Sequence, residues 1–147
     1  MIEVGEAAPD FTLTDERGEE VTLSSFRGSR NVVLAFFPQA FSEFCTAQFA
    51  RMGDNEARYA GDDAQVLGVS VDHQWAQAAF AERLGLTDIR LLADFHPKGE
   101  VARRYGVYSD EYGVALRATF VIDRAGVVRA AVLTEPLQAP DEERWLE

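Results

Sequence analysis

The sequence predicts an α/β fold: a central mixed β-sheet flanked by helices, with a β-hairpin extension at its amino end. Val32-Val33-Leu34-Ala35-Phe36-Phe37 is an unbroken apolar run of strand length, the pattern of a central strand buried on both faces. Downstream of it, strand-like and helix-like segments alternate, as a layered sheet requires. Upstream, two short alternating stretches flank Glu16-Arg17-Gly18, which marks a hairpin.

Phe11-Thr12-Leu13-Thr14 and Glu20-Val21-Thr22-Leu23 form the arms of that hairpin, with one face toward solvent, and a short Ser-capped turn, Ser24-Ser25-Phe26, follows. Pro38 ends the central strand, since a proline has no N–H to give to a ladder. From Ser42 to about Tyr59, Cys45, Phe49 and Met52 recur at helical spacing and Ser42 stands at the N-cap position, so one long helix is expected to begin just before the cysteine. Gln65 to Val71 reads as a strand, with a helix starting near Asp72. Arg90 to Ala93 reads as another, followed by a helix opened by Pro97 and closed by Gly106. Leu116 to Asp123, the turn Arg124-Ala125-Gly126 and Val127 to Leu133 make a hairpin that completes the sheet. Pro140-Asp141-Glu142-Glu143 opens one more helix, carrying Trp145 inward. This order is that of an elaborated thioredoxin fold.

With 147 residues, 47% of them hydrophobic, and no repeat or linker, the chain is expected to form one domain over residues 1–147. Its 14 Lys and Arg against 25 Asp and Glu give a net charge of −11, a field that repels phosphate backbones and anionic lipid surfaces. Nucleic acid and membrane partners are therefore not expected. The longest apolar run, Val32 to Phe37, falls far short of the roughly 20 residues of a bilayer span. Met1-Ile2-Glu3-Val4-Gly5-Glu6 does not read as an export signal, and a lone cysteine is easiest to keep reduced inside a cell, so the expected location is cytoplasmic.

Pro38-Gln39-Ala40-Phe41-Ser42-Glu43-Phe44-Cys45 sets a proline, a hydroxyl and a thiol between the end of a buried strand and the first turn of a helix. A free thiol, with a pKa of about 8.5, is only slightly ionised at neutral pH, and the thiolate is the nucleophile. The positive end of a helix favours the anion, so Cys45 is expected to be ionised at neutral pH. Cleaving a peroxide moves negative charge from sulfur to the departing oxygen, which calls for fixed donors. First-turn N–H groups and the Ser42 hydroxyl are suited to this. Arg117 adds a permanent cation in the otherwise apolar and small-residue strand expected over Val114 to Ile122, where a charge needs a partner.

Each of these residues also has an ordinary explanation. Cys45 shares a helical stripe with Phe49 and Met52, and cysteine is among the most buried residue types. Ser42 is explained as an N-cap that accepts from the Cys45 N–H, Arg117 as a surface ion pair, and Pro38 as a strand terminator. His73 and His96 lack metal-ligand spacing, glycine-rich phosphate loops are missing, and Gly68-Val69-Ser70-Val71-Asp72 is not a hydrolase elbow, so no metal or organic cofactor is expected.

Pro38-x-x-x-Ser42-x-x-Cys45 resembles the Pro-x-x-x-Thr/Ser-x-x-Cys active-site motif of the peroxiredoxins, and Arg117 in Arg-Ala-Thr-Phe-Val-Ile-Asp resembles that family's second signature. The likeness extends to Ala8-Pro9-Asp10-Phe11, Leu67-Gly68-Val69-Ser70-Val71-Asp72 and Leu92-Ala93-Asp94. Phe-Phe-Pro-Gln-Ala-Phe-Ser, Asp-Phe-His-Pro-Lys-Gly-Glu-Val-Ala and Tyr-Gly-Val-Tyr-Ser-Asp-Glu-Tyr-Gly are closest to the one-cysteine alkyl hydroperoxide reductase E subgroup.

The resemblance implies a peroxidatic Cys45, shielding of its thiolate by Pro38, peroxide orientation by Ser42, and stabilisation of the thiolate and the transition state by Arg117. The substrates implied are hydrogen peroxide, organic hydroperoxides or peroxynitrite. With no second cysteine, the sulfenic acid must be resolved by an external thiol, by resemblance a low-molecular-weight thiol working with a glutaredoxin- or thioredoxin-like protein. Gln48 stands where many relatives have a glutamate, which puts the arginine's polar network in question. Phe41, Phe44 and Phe49 surround the loop as core, acyl-chain pocket or dimer contact, and a homodimer is expected. The rival readings are a redox-silent thioredoxin-fold binding or chaperone module and a bacterioferritin-comigratory-type peroxiredoxin; the latter usually carries an extra helix cysteine.

Overall fold

β3 (Asn31–Phe36) organises the molecule because both of its faces are apolar. In the computed structural model, which describes residues 1–134, its two faces begin two separate cores. Val32, Leu34 and Phe36 point to one side, where they meet Leu67, Val69, Tyr105 and Phe120. Val33 and Ala35 point to the other and, with the following Phe37, pack with Cys45, Phe49, Met52 and Phe80. This is the period-two alternation of a strand expressed in a sheet covered on both sides.

β4 (Ala64–Ser70) and β5 (Arg90–Ala93) extend the sheet in parallel on one side of β3. β8 (Ala118–Ile122) and β9 (Val128–Leu133) extend it antiparallel on the other. The amino-terminal hairpin, β1 (Thr12–Asp15) and β2 (Glu20–Thr22), forms as expected and joins the same sheet through β1 and β5. The order is β2-β1-β5-β4-β3-β8-β9, and Leu23–Phe26 forms a single 3-10 turn after the hairpin. The central mixed sheet flanked by helices is thus as the sequence predicts.

Three expectations need correction. The helix expected from Ser42 to about Tyr59 is two helices, α1 (Glu43–Asp54) and α2 (Glu56–Gly61), parted at Asn55. Asn55 leaves the helical conformation and turns its own side chain back onto the Arg51 carbonyl at 3.0 Å, the backbone competition that makes asparagine a weak helix former. Glu56 then anchors α2 by accepting the N–H groups of Thr87 and Ile89. After α3 (Gln74–Leu84), the helix expected to open at Pro97 begins later, as α4 (Glu100–Arg104). The buried Asp94 carboxylate fixes that start by accepting from Val101 and Ala102 at 3.1 and 3.0 Å.

The third correction concerns the approach to β8. The stretch Val114 to Ile122 is not one strand: β7 (Val114–Ala115) pairs with β6 (Tyr108–Ser109) in a separate two-stranded sheet, and β8 starts at Ala118. Arg117 lies in the short connection between them rather than inside a ladder. The helix expected from Pro140 lies outside the described residues.

Candidate active site

The parallel strands end together, and the loop leaving β3 carries Pro38 and Ser42 and leads to Cys45 in α1. Phe37 still donates to Val69, but the half-buried Pro38 has no N–H, and the chain turns. Phe41 takes a left-handed conformation, φ +68°, that a bulky side chain seldom adopts. Its ring is 52% exposed and rests on Phe80, with centroids 5.1 Å apart. Ser42 then enters α1 from extended backbone, and its carbonyl accepts the first helical bond, from Thr46 at 2.8 Å.

Ser42 occupies the N-cap position without capping. Its hydroxyl donates to the Gln39 carbonyl at 3.0 Å instead of accepting from the Cys45 N–H, so the turn is closed on itself. No hydrogen bond from Ser42 reaches the sulfur among the described residues.

Cys45 stands in the first turn of α1, fully buried at 0% exposure. Burial alone would mark an inert core thiol, but its neighbour is a cation. Arg117, itself 3% exposed, donates through Nη2 to the Cys45 Sγ at 3.3 Å and through Nη1 to the Gln48 Oε1 at 2.6 Å. Cys45 and Gln48 are three residues apart on α1 and so share one face, which lets a single guanidinium touch both. Gln48 therefore keeps the arginine in place. Its own Nε2 and the Arg117 Nε are buried with no hydrogen-bond partner among the described residues.

The electrostatics follow from this pairing. A buried guanidinium is costly unless compensated, and neither hydrogen-bond partner of Arg117 among the described residues is a carboxylate. The two groups it meets are the Cys45 sulfur and the Gln48 amide oxygen. Pro38, Ser42 and Cys45 lie on one loop-to-helix segment, and Arg117 comes from the opposite side of the sheet order, across β3 from β4.

Of the aromatic residues near the loop, Phe49 belongs wholly to the core, Phe44 is half-buried and Phe41 is exposed. His73 caps α3, its Nδ1 accepting from the Trp75 N–H at 3.3 Å, and its ring packs edge-on against Phe95. No three His, Cys, Asp or Glu side chains are grouped as a metal centre would need among the described residues.

Sequence reasoning gave no role to a polar chain beside the loop. Asp72 accepts from the Ala40 N–H at 2.8 Å and from the Ser70 hydroxyl at 2.6 Å, and Gln77 donates to that hydroxyl at 2.8 Å. The available signal was a polar pair, Ser70 and Asp72, closing an otherwise apolar strand at the sheet's carboxyl edge, where open α/β sheets place their sites.

The AhpC/TSA family model matches residues 4–131. Alkyl hydroperoxide reductase E of Mycobacterium tuberculosis is 39% identical over 145 residues, covering 99% of this chain and 94% of the relative. Peroxiredoxin-2 of Mus musculus is 34% identical, covering 90% of this chain and 70% of its own. Among solved structures, peroxidoxin BcpB from Mycobacterium tuberculosis superposes with a TM-score of 0.83 at 32% identity, over 90% of this chain and 86% of that one. The reduced 2-Cys peroxiredoxin of Plasmodium vivax, at 24% identity and a TM-score of 0.87 over 99% of this chain and 79% of its own, shares the fold.

Proposed function

We propose that this chain, which belongs to the AhpC/TSA family and is a thiol-dependent peroxidase, reduces its peroxide at Cys45. The observation that carries the assignment is the contact of a buried guanidinium with a buried sulfur, Arg117 Nη2 to Cys45 Sγ at 3.3 Å. In the first step the thiolate attacks the terminal peroxide oxygen, an S–O bond forms, and the O–O bond breaks. Cys45 becomes a sulfenic acid, and the other peroxide oxygen leaves as hydroxide, alkoxide or nitrite, the alkoxide taking a proton from water. Charge moves from sulfur to the departing oxygen, and Arg117 with the first-turn N–H groups of α1 stabilises it throughout. Pro38 shields the sulfur from bulk water, and Ser42 orients the peroxide once its hydroxyl leaves the Gln39 carbonyl.

Hydrogen peroxide, organic hydroperoxides and peroxynitrite are the substrates we assign. Cys45 is the chain's one cysteine, so an external thiol must reduce the sulfenic acid, forming a mixed disulfide with loss of water. A second thiol then releases Cys45. We infer a low-molecular-weight thiol working with a glutaredoxin- or thioredoxin-like protein, in a cytosolic homodimer of single-domain subunits.

The complete burial of Cys45 favours a rival reading, a redox-silent binding module. Stopped-flow mixing of reduced protein with hydrogen peroxide separates the two. The wild type is expected to consume one equivalent and gain one oxygen atom by mass, while Cys45→Ser does neither. Equal consumption by both proteins sinks the assignment.

A further inference from the structure

Cys45 is sealed, yet the reaction requires both a peroxide and then an external thiol to reach it. The turn 38–42 leads directly into the helix that carries the sulfur, its Ala40 packs in the same buried cluster as Cys45, and a hydrogen bond ties the turn to the residues just past β4. Ala40 donates its N–H to the Asp72 Oδ2 at 2.8 Å. The same oxygen accepts from the Ser70 hydroxyl at 2.6 Å, and the buried Gln77 fixes that hydroxyl by donating Nε2 to it and to the Leu92 carbonyl, at 2.8 and 2.9 Å. A continuous chain of hydrogen bonds thus runs from β5 through α3 and the end of β4 to the loop that carries the site. The turn needs this anchor, because the left-handed Phe41 is unfavourable for an aromatic residue and persists only where its surroundings impose it.

We propose that Asp72 is a positioning residue, the latch that holds the turn 38–42 closed over Cys45 in the peroxide-reducing geometry. The proposal rests on Cys45 being the peroxidatic sulfur. Releasing the latch opens the turn, which slows peroxide reduction and exposes the sulfur to larger thiol reagents. A role in stability alone would move the two rates only to the extent that the thermal midpoint falls.

The test compares wild type, Asp72→Ala and Asp72→Asn; asparagine keeps an acceptor oxygen for the Ala40 N–H. Three quantities are read: the second-order rate with hydrogen peroxide, the rate at which reduced Cys45 is alkylated by a bulky maleimide, and the thermal midpoint. For Asp72→Ala the peroxide rate is expected to fall about tenfold or more and the alkylation rate to rise by a similar factor, the kinetic equivalent of one charge-assisted hydrogen bond. Asp72→Asn is expected to recover most of both. Unchanged rates in Asp72→Ala, or both rates moving together with the thermal midpoint and no rescue by asparagine, overturn the proposal. The alkylation arm contains no peroxide, so it reads the latch even if Cys45 proves not to be the peroxidatic residue.

Discussion

Arg117 and Cys45, 72 residues apart in the chain, meet across 3.3 Å with the guanidinium donating to the sulfur. The contact depends on β8 lying antiparallel beside β3, because the connection before β8 then arrives next to the turn that leaves β3. Gln48 takes the other arm of the fork at 2.6 Å, so the guanidinium plane is set by two groups on one helix face.

Removing that fork should slow chemistry far more than folding would explain. Arg117→Met is expected to reduce the second-order rate with hydrogen peroxide by about 10²- to 10³-fold, the scale of losing a transition-state donor. Arg117→Lys should recover only part, since a point charge cannot reach both Gln48 and the sulfur with fork geometry. Stopped-flow measurement checks this, and a Met variant as fast as wild type would remove Arg117 from the site.

α1 is seated on the sheet through a glycine. A Cβ at Gly68 would lie 2.8 Å from Leu91 Cδ2 and from Phe49 Cε1 and Cζ, so β4 can pass under α1 only because that position has no side chain. Gly68→Ala is expected to cost about 1–3 kcal/mol through overpacking. Urea denaturation measures it. Because Phe49 shares α1 with Cys45, the peroxide rate should fall as well.

Asp94 gives a pH dependence whose sign is fixed. Burial pushes its carboxyl above the ordinary value of 3.8, although the N–H groups of Ala102 and Val101 favour the ionised form. The folded state therefore binds the proton more tightly than the unfolded chain does, and this contribution to stability is lost as pH rises through the folded value. Asp94→Asn removes the titration. Its unfolding free energy relative to wild type should accordingly improve between pH 4 and pH 7 in urea titrations; a difference that stays flat or declines refutes the assignment.

Much of this was legible before any coordinates. The run Val32 to Phe37 announced a strand buried on both sides, and the alternation around Glu16-Arg17-Gly18 announced the hairpin, because burial and pleat write directly into residue order. Cys45 and Arg117 stood out for a similar reason, a thiol at a helix start and a charge in an apolar stretch. The break at Asn55 and the late start of α4 were hidden, since each depends on one side chain competing for backbone groups. Asn55 does so locally, whereas Asp94 reaches amides several residues ahead. The partner of the Ser42 hydroxyl was hidden by the same kind of contest: the hydroxyl had two backbone options, and it takes the Gln39 carbonyl.

The layers, the strand at their centre and the candidate thiol at a helix start could be read from residue order alone, because hydrophobic periodicity and residue chemistry are local properties. That Arg117 reaches the sulfur and Gln48, and that Asp72 accepts from the Ala40 N–H, could be seen only in the folded chain. Those contacts join distant stretches of chain, and hydrogen bonds a few ångströms long exist only after the sheet has set its strand order.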